Sequence, residues 1–182
     1  MTVEVTPTTF RFVEFDAAEI RDLVESLVID LGIDRDVHIA IDETTPLARV
    51  RTEVDAQITI RVDGGALEDT RRPRRFGRDI AIGTLGRALL RARDRSEAGF
   101  ADAPDDEHLS LAQIAAWDTT CAGRLARLGR HTSRQRWLYD FRNRHGFTDL
   151  ADETFETLWS ASGLTWRQID TLSATALHAP HD

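Results

Sequence analysis

The sequence predicts an α+β protein: a helix, a three-stranded and mostly antiparallel sheet, and a long helix, followed by an all-helical C-terminal half. Two patterns carry this reading. Apolar residues recur at helical spacing over 16–31 and again from 74 onward, and between these stretches they alternate with polar residues in three short runs from 37 to 62. The 182 residues, 41% hydrophobic and 30% charged, are enough for one domain with a real core, or one domain plus a helical appendage.

The first helix is expected at 16–31, with Asp16 as its cap, Glu19 completing a capping box, and Phe15 with Ile20 forming a hydrophobic staple. Ile20, Leu23, Val24, Leu27, Val28 and Leu31 form its buried face, and Gly32 ends it. Three strands follow: Val37, Ile39 and Ile41; then Val50, Thr52 and Val54 against Arg49, Arg51 and Glu53; then Ile58, Ile60 and Val62 against Thr59 and Arg61. Their short loops favour antiparallel neighbours, because a parallel crossover needs about a dozen residues or more. A loop at Asp63-Gly64-Gly65 and Arg71-Arg72-Pro73 leads into a long helix at 74–96, where Gly83 and Gly86 imply close packing against the sheet.

Residues 98–108, with Gly99, Pro104 and a run of acids, read as an acidic linker between an N-terminal unit, 1–97, and a helical region, 109–182, that packs on it. That region is expected to hold helices at 110–128, 133–145, 149–161 and 165–176, the last with a second capping box, Thr165 with Gln168. Leu111, Ile114, Asp118, Cys121, Leu125 and Leu128 share one stripe of the first of these. The tail with His178 and His181 is expected to fray.

Charge is segregated along the chain. The net charge of −8 disfavours a dedicated nucleic-acid binder, yet residues 71–100 hold 9 Arg against 3 acids and residues 120–147 hold 7 Arg against 1. Neutralisation of these stretches by the acidic segments inside one fold is the plainer account. No apolar run approaches the roughly 20 residues that span a bilayer, so no membrane association is expected. The acidic start lacks the features of a secretory signal, and Cys121 is the single cysteine. A cytoplasmic setting is therefore expected, with no disulfide, no thiolate metal site and no cofactor.

The order helix, three strands, long helix resembles the zincin metallopeptidases, whose second helix carries His-Glu-x-x-His. The centre of the long helix reads Gly83-Thr84-Leu85-Gly86-Arg87-Ala88-Leu89-Leu90, which looks like the zincin stretch His-Glu-Leu-Gly-His-Ala-Leu-Leu with its three chemical residues replaced. The resemblance covers at most residues 16–128. It places Gly83 and Arg87 where the two zinc-binding histidines would stand and Thr84 where the general-base glutamate would stand. Glycine has no side chain and arginine only a fixed positive charge, so the motif is degenerate and implies a scaffold without metal or peptidase activity.

Among other candidates, Asp118 interrupts an apolar stripe, which asks for a partner or a cleft. Arg87, Arg91 and Arg95 share an edge of the long helix. The segment 124–145 interleaves Arg134, Arg142 and His145 with Trp137, Tyr139 and Phe141, the composition of a phosphate- or RNA-binding face and equally of an amphipathic helix. Residues 152–175 have the length of a helix-turn-helix but offer only Arg167 for contacts. The expectation is a non-catalytic binding protein for a peptide or protein partner, with Arg87, Arg91, Asp118, Arg134, Arg142 and His145 as candidate binding residues. The alternatives are a phosphate or RNA binder using 124–145, and an enzyme with a site around Asp118.

Overall fold

The computed structural model describes residues 1–177; the expectations placed on the tail and on His178 and His181 lie outside the described residues. The chain divides into two compact units, one from Met1 to Arg93 and one from Asp94 onward. Helices and strands alternate in the first. The second is helical.

The first unit is built on β1 (Val3–Thr6), α1 (Ala17–Leu31), β2 (Val37–Asp42), β3 (Val50–Val54) and β4 (Ile58–Asp63). Asp16 caps α1 by accepting from the Ala18 N–H at 2.8 Å, and Gly32 ends it in the left-handed conformation at φ 62°. Glu19, expected to close a capping box, instead meets Arg78 at 3.4 Å. Ile20, Val24, Leu27 and Val28 are fully buried on the face of α1 read from the sequence. Each such side chain contributes about 1.5–3 kcal/mol relative to its exposed state.

The sheet has four strands in the order β1-β2-β4-β3, and it is mixed where a mostly antiparallel one was expected. β1 runs parallel to β2 and β2 parallel to β4; only β3 is antiparallel, paired with β4 at the sheet's edge. The reason lies in the connection between β2 and β4. It spans residues 43–57 and contains β3 itself, so it is long enough for the return that a parallel neighbour requires.

Between β4 and the long helix the chain forms a small second sheet, β5 (Glu68–Asp69) with β6 (Arg72–Phe76). The long helix, α2 (Arg78–Arg95), therefore starts later than residue 74. The residues expected as its first turn are strand, since they hydrogen-bond back to Glu68. Ala81, Leu85, Leu89 and Ala92 of α2 are fully buried. Gly65 permits the turn after β4: a Cβ there would lie 2.0 Å from the Pro46 carbonyl oxygen.

The stretch read as a linker is not a free tether. It forms two short 3-10 turns, Ala98–Phe100 and Asp106–His108, and Phe100 is buried and stacked on Trp117 at 5.2 Å between ring centroids. The division of the chain accordingly falls before it, at Arg93/Asp94. The helices that follow are α3 (Leu111–Arg127), α4 (Arg134–His145), α5 (Asp149–Ser160) and α6 (Trp166–Leu177), close to the ranges read from the sequence. Ser110 and Gln113 form a full capping box at the start of α3, and Thr165 and Gln168 exchange hydrogen bonds at the start of α6.

Helix α3 packs against α4, α5 and α6, and its buried face differs from the expected stripe. Leu111 and Leu128 are exposed, while Ala112, Ala116, Trp117, Cys121, Ala122 and Leu125 are buried. Small residues decide this, because they let neighbouring backbones approach. At Gly123 a Cβ would fall 2.0 Å from the Trp159 carbonyl oxygen of α5. Gly123→Ala should therefore destabilise the second unit by about 1–3 kcal/mol, read as a lowered urea midpoint. Gly163→Ala, where a Cβ meets nothing within 4 Å, should leave that midpoint in place.

Candidate functional site

At the centre of α2, the positions singled out by the sequence are occupied by contacts that serve the helix. Arg87 folds back and donates from Nη1 to the Gly83 carbonyl at 2.7 Å. The only atom within 4 Å of a Cβ built on Gly83 is that same Nη1, at 3.5 Å. Gly83 thus makes room for a guanidinium, and not for the sheet as expected. Thr84 donates its hydroxyl to the Ala66 carbonyl at 3.2 Å. A zinc ion would require imidazole, thiolate or carboxylate donors, and these three residues offer none, so they do not fit a metal. Among the described residues no group of three or more His, Cys, Asp and Glu is placed to hold one. Arg91 lies one turn beyond Arg87, half-buried.

The first unit also carries a concavity that sequence reasoning missed. In β1, β2 and β4 the apolar residues are buried, and the alternate residues form an opposite, polar face. Register aligns Thr6, Ala40, Arg61 and Arg51 in one row across the four strands. The next row holds Asp42 beside Asp63, and the Asp63 N–H donates to the Arg49 carbonyl at 3.0 Å. These rows line a concavity of about 520 Å³ at the carboxyl ends of the parallel strands.

Several of its groups are already held. Thr6 Oγ1 lies 2.8 Å from His38 Nε2. Asp42 Oδ1 accepts from the Thr44 hydroxyl and N–H at 2.6 and 2.9 Å, which lowers its pKa below the usual carboxylate range. Arg61 donates from Nε to Glu53 at 2.9 Å and holds the Glu53 carboxyl low. The signal for this face was present as Arg49, Arg51 and Arg61 alternating with apolar residues. What the sequence lacked was the register that brings them together.

In the second unit, Asp118 is half-buried on α3. The deeply buried carboxylate is instead Asp94, 2% exposed, which accepts from Trp117 Nε1 at 2.9 Å and Arg124 Nη1 at 2.7 Å. Burial pushes the Asp94 carboxyl up, with Arg124 and Trp117 pulling it partly back. Arg95 lies beside them, over the Trp117 ring at 5.1 Å and 2.9 Å from Asp106.

The arginines of 124–145 are largely engaged with acids. Besides Arg124 with Asp94, Arg134 pairs with Glu156 and Arg136 with Asp140. Arg142 makes a bidentate pair with Asp152, its Nε donating at 2.7 Å. His145 is buried, stacked on Phe141 at 3.9 Å, with Nε2 2.9 Å from Ser173 Oγ. Arg142 and His145 share α4, but one is part of a surface pair and the other is core. The candidate residues therefore do not form one cluster: Arg87 and Arg91 belong to the first unit, and Asp118, Arg134, Arg142 and His145 to the second.

No protein-family model, curated protein or solved structure matches this chain. Among the described residues no helix is long and apolar enough to cross a membrane.

Burial pulls the His145 pKa below its ordinary value of 6.5, and the Phe141 carbonyl offsets this only in part. The unfolded chain then takes up the proton first. Stability is full above the unfolded value and falls as pH drops through it toward the folded one. His145→Phe should flatten the decline in urea midpoint between about pH 7 and about pH 5, whatever it does to the midpoint at neutral pH.

Proposed function

We propose that this chain acts by binding and not by breaking bonds. It is a pseudo-enzyme on a zincin-like scaffold, without metal or peptidase activity, that takes an extended segment of a protein partner along the outer side of β3. The order α1, three strands, α2 supports the scaffold, and the chemistry of Gly83, Thr84 and Arg87 supports the absence of catalysis. A reducing, cytoplasmic setting suits the single, buried Cys121.

The observation that carries the binding site is the hydrogen-bond phase of β3. The Asp63 N–H donates to the Arg49 carbonyl and the Asp55 N–H to the Gln57 carbonyl, so odd-numbered residues of this strand face β4. Val50 and Val54 then turn their N–H and C=O groups away from the sheet, at its edge. An added strand would pair with those groups by β-augmentation. Arg51 and Glu53 on the same strand discourage indiscriminate edge pairing, which leaves a partner of complementary charge as the occupant.

The reading of 124–145 as a phosphate or RNA binder asks for arginines that converge and stay clear of the acids. Their pairing with Glu156, Asp140, Asp152 and Asp94 favours the peptide reading instead. The enzyme reading around Asp118 draws on no further group placed beside it.

Two measurements test the proposal. Protein purified without chelator should contain no stoichiometric zinc by elemental analysis; stoichiometric zinc overturns the metal-free scaffold. Peptides selected from a displayed random library should shift the backbone amides of Val50 and Val54. Val54→Pro, which removes one outward donor and no bond to β4, should weaken the best peptide about tenfold. Peptides that map elsewhere, or that bind the proline variant equally well, overturn the edge site.

A further inference from the structure

The open face of the first unit's sheet holds more positive charge than its surroundings explain. Residues 1–70 contain 6 Arg and 16 acids, yet three of those six, Arg49, Arg51 and Arg61, line one concavity. Arg51 and Arg61 stand directly opposite each other on β3 and β4, and like charges so placed repel. Glu53 engages Arg61 at 2.9 Å and relieves part of that repulsion. Arg49, one row further on, restores it. A local cost that the fold does not require is a mark of a functional site.

Position gives a second, independent argument. The concavity opens at the carboxyl ends of β1, β2 and β4, the parallel strands, which is where open α/β sheets hold their ligands. Its volume of about 520 Å³ is that of a small-molecule site. The guanidinium fork matches a phosphoryl group in charge and in planar, bidentate donor geometry, and three forks suit a dianion better than a single carboxylate.

The acids on the wall refine the choice. Asp42 uses Oδ1 for Thr44, so Oδ2 remains as an acceptor. The Asp63 carboxylate does not cap the short turn that follows it. Both repel an anion and accept from hydroxyl groups. The geometry points to a phosphorylated polyol or sugar as the ligand of this concavity, its phosphoryl oxygens on Arg49, Arg51 and Arg61 and its hydroxyls toward Asp42 and Asp63. This site is distinct from the outward backbone groups of β3, so it stands whether or not a peptide binds there.

The test is titration calorimetry of the whole chain with ribose 5-phosphate, inorganic phosphate and ribose, together with backbone amide mapping. Ribose 5-phosphate should bind most tightly, inorganic phosphate more weakly and ribose not at all, with amide shifts centred on residues 49–51 and 61–63. Arg51→Gln should weaken ribose 5-phosphate about tenfold, the loss of one charge-assisted contact. Arg144→Gln, an exposed arginine on α4 in the other unit, should leave binding unchanged, as should Val54→Pro. Absence of binding by both phosphates, shifts mapping elsewhere, or equal weakening by Arg144→Gln overturns the proposal. So does inorganic phosphate binding as tightly as the sugar phosphate. If Arg51→Gln does not fold, Arg49→Gln and the wild-type shift map decide the same question.

Discussion

Successive side chains of a strand point to opposite sides of a sheet, and in the first unit this alternation does most of the sorting. Val3, Val5, Val37, Ile39, Ile58 and Ile60 are all buried on one side. The other side is left to Thr6, His38, Asp42, Arg61 and Arg51, whose spacing is then dictated by strand register and not by local sequence. A slip of one residue in any strand would bury a charge and expose a valine or isoleucine. The same constraint that secures the core therefore assembles the arginines, and it holds them rigidly because they stand on strands and not on loops.

Helices were legible because their signals are local. Asp16 and Gly32 bound α1, Ser110 starts α3, and Thr165 with Gln168 starts α6, each through hydrogen bonds within a few residues. Strand partners were not legible, because pairing is a long-range choice. β1 offers only Val3 and Val5 as apolar residues, too few to announce a strand, yet pairing with β2 secures it. β6 is Arg-Pro-Arg-Arg-Phe, whose residues are mostly exposed, so no apolar alternation marks it. The parallel β2–β4 pairing follows from one insertion: β3 leaves β2, turns back as the edge, and delivers β4 between them.

The polar groups divide in the same way. Asp118 drew attention by interrupting an apolar stripe, yet the stripe itself is displaced, with Leu111 exposed and Trp117 at the centre of the buried face. Asp94 drew none, since between Arg93 and Arg95 it reads as a solvated position. Its burial comes from Trp117 and Arg124, 23 and 30 residues further along the chain. Breaking such a buried pair by removing one charge costs about 3–5 kcal/mol, so Asp94 is a structural anchor of the second unit. Charge segregation along the chain is answered in space by pairs such as Arg142 with Asp152 and Arg167 with Asp102. The basic stretches are spent within the fold.

What separates Arg49, Arg51 and Arg61 from those paired arginines is the balance of charge around them. On α4 each of Arg134, Arg136 and Arg142 has a carboxylate of its own. On the sheet face, Glu53 alone is shown engaging the cluster, and the nearby Asp42 is turned toward Thr44. The centre of α2 shows the opposite economy: Arg87 is turned onto its own helix at Gly83, and Thr84 onto Ala66, so the positions that resemble a catalytic motif are consumed by internal contacts. Chemistry directed outward is thus concentrated on the open face and edge of the sheet. Exposed side chains on β3 and β4 can change partner without disturbing the core beneath them, whereas a change at Gly83 would displace a guanidinium already seated there.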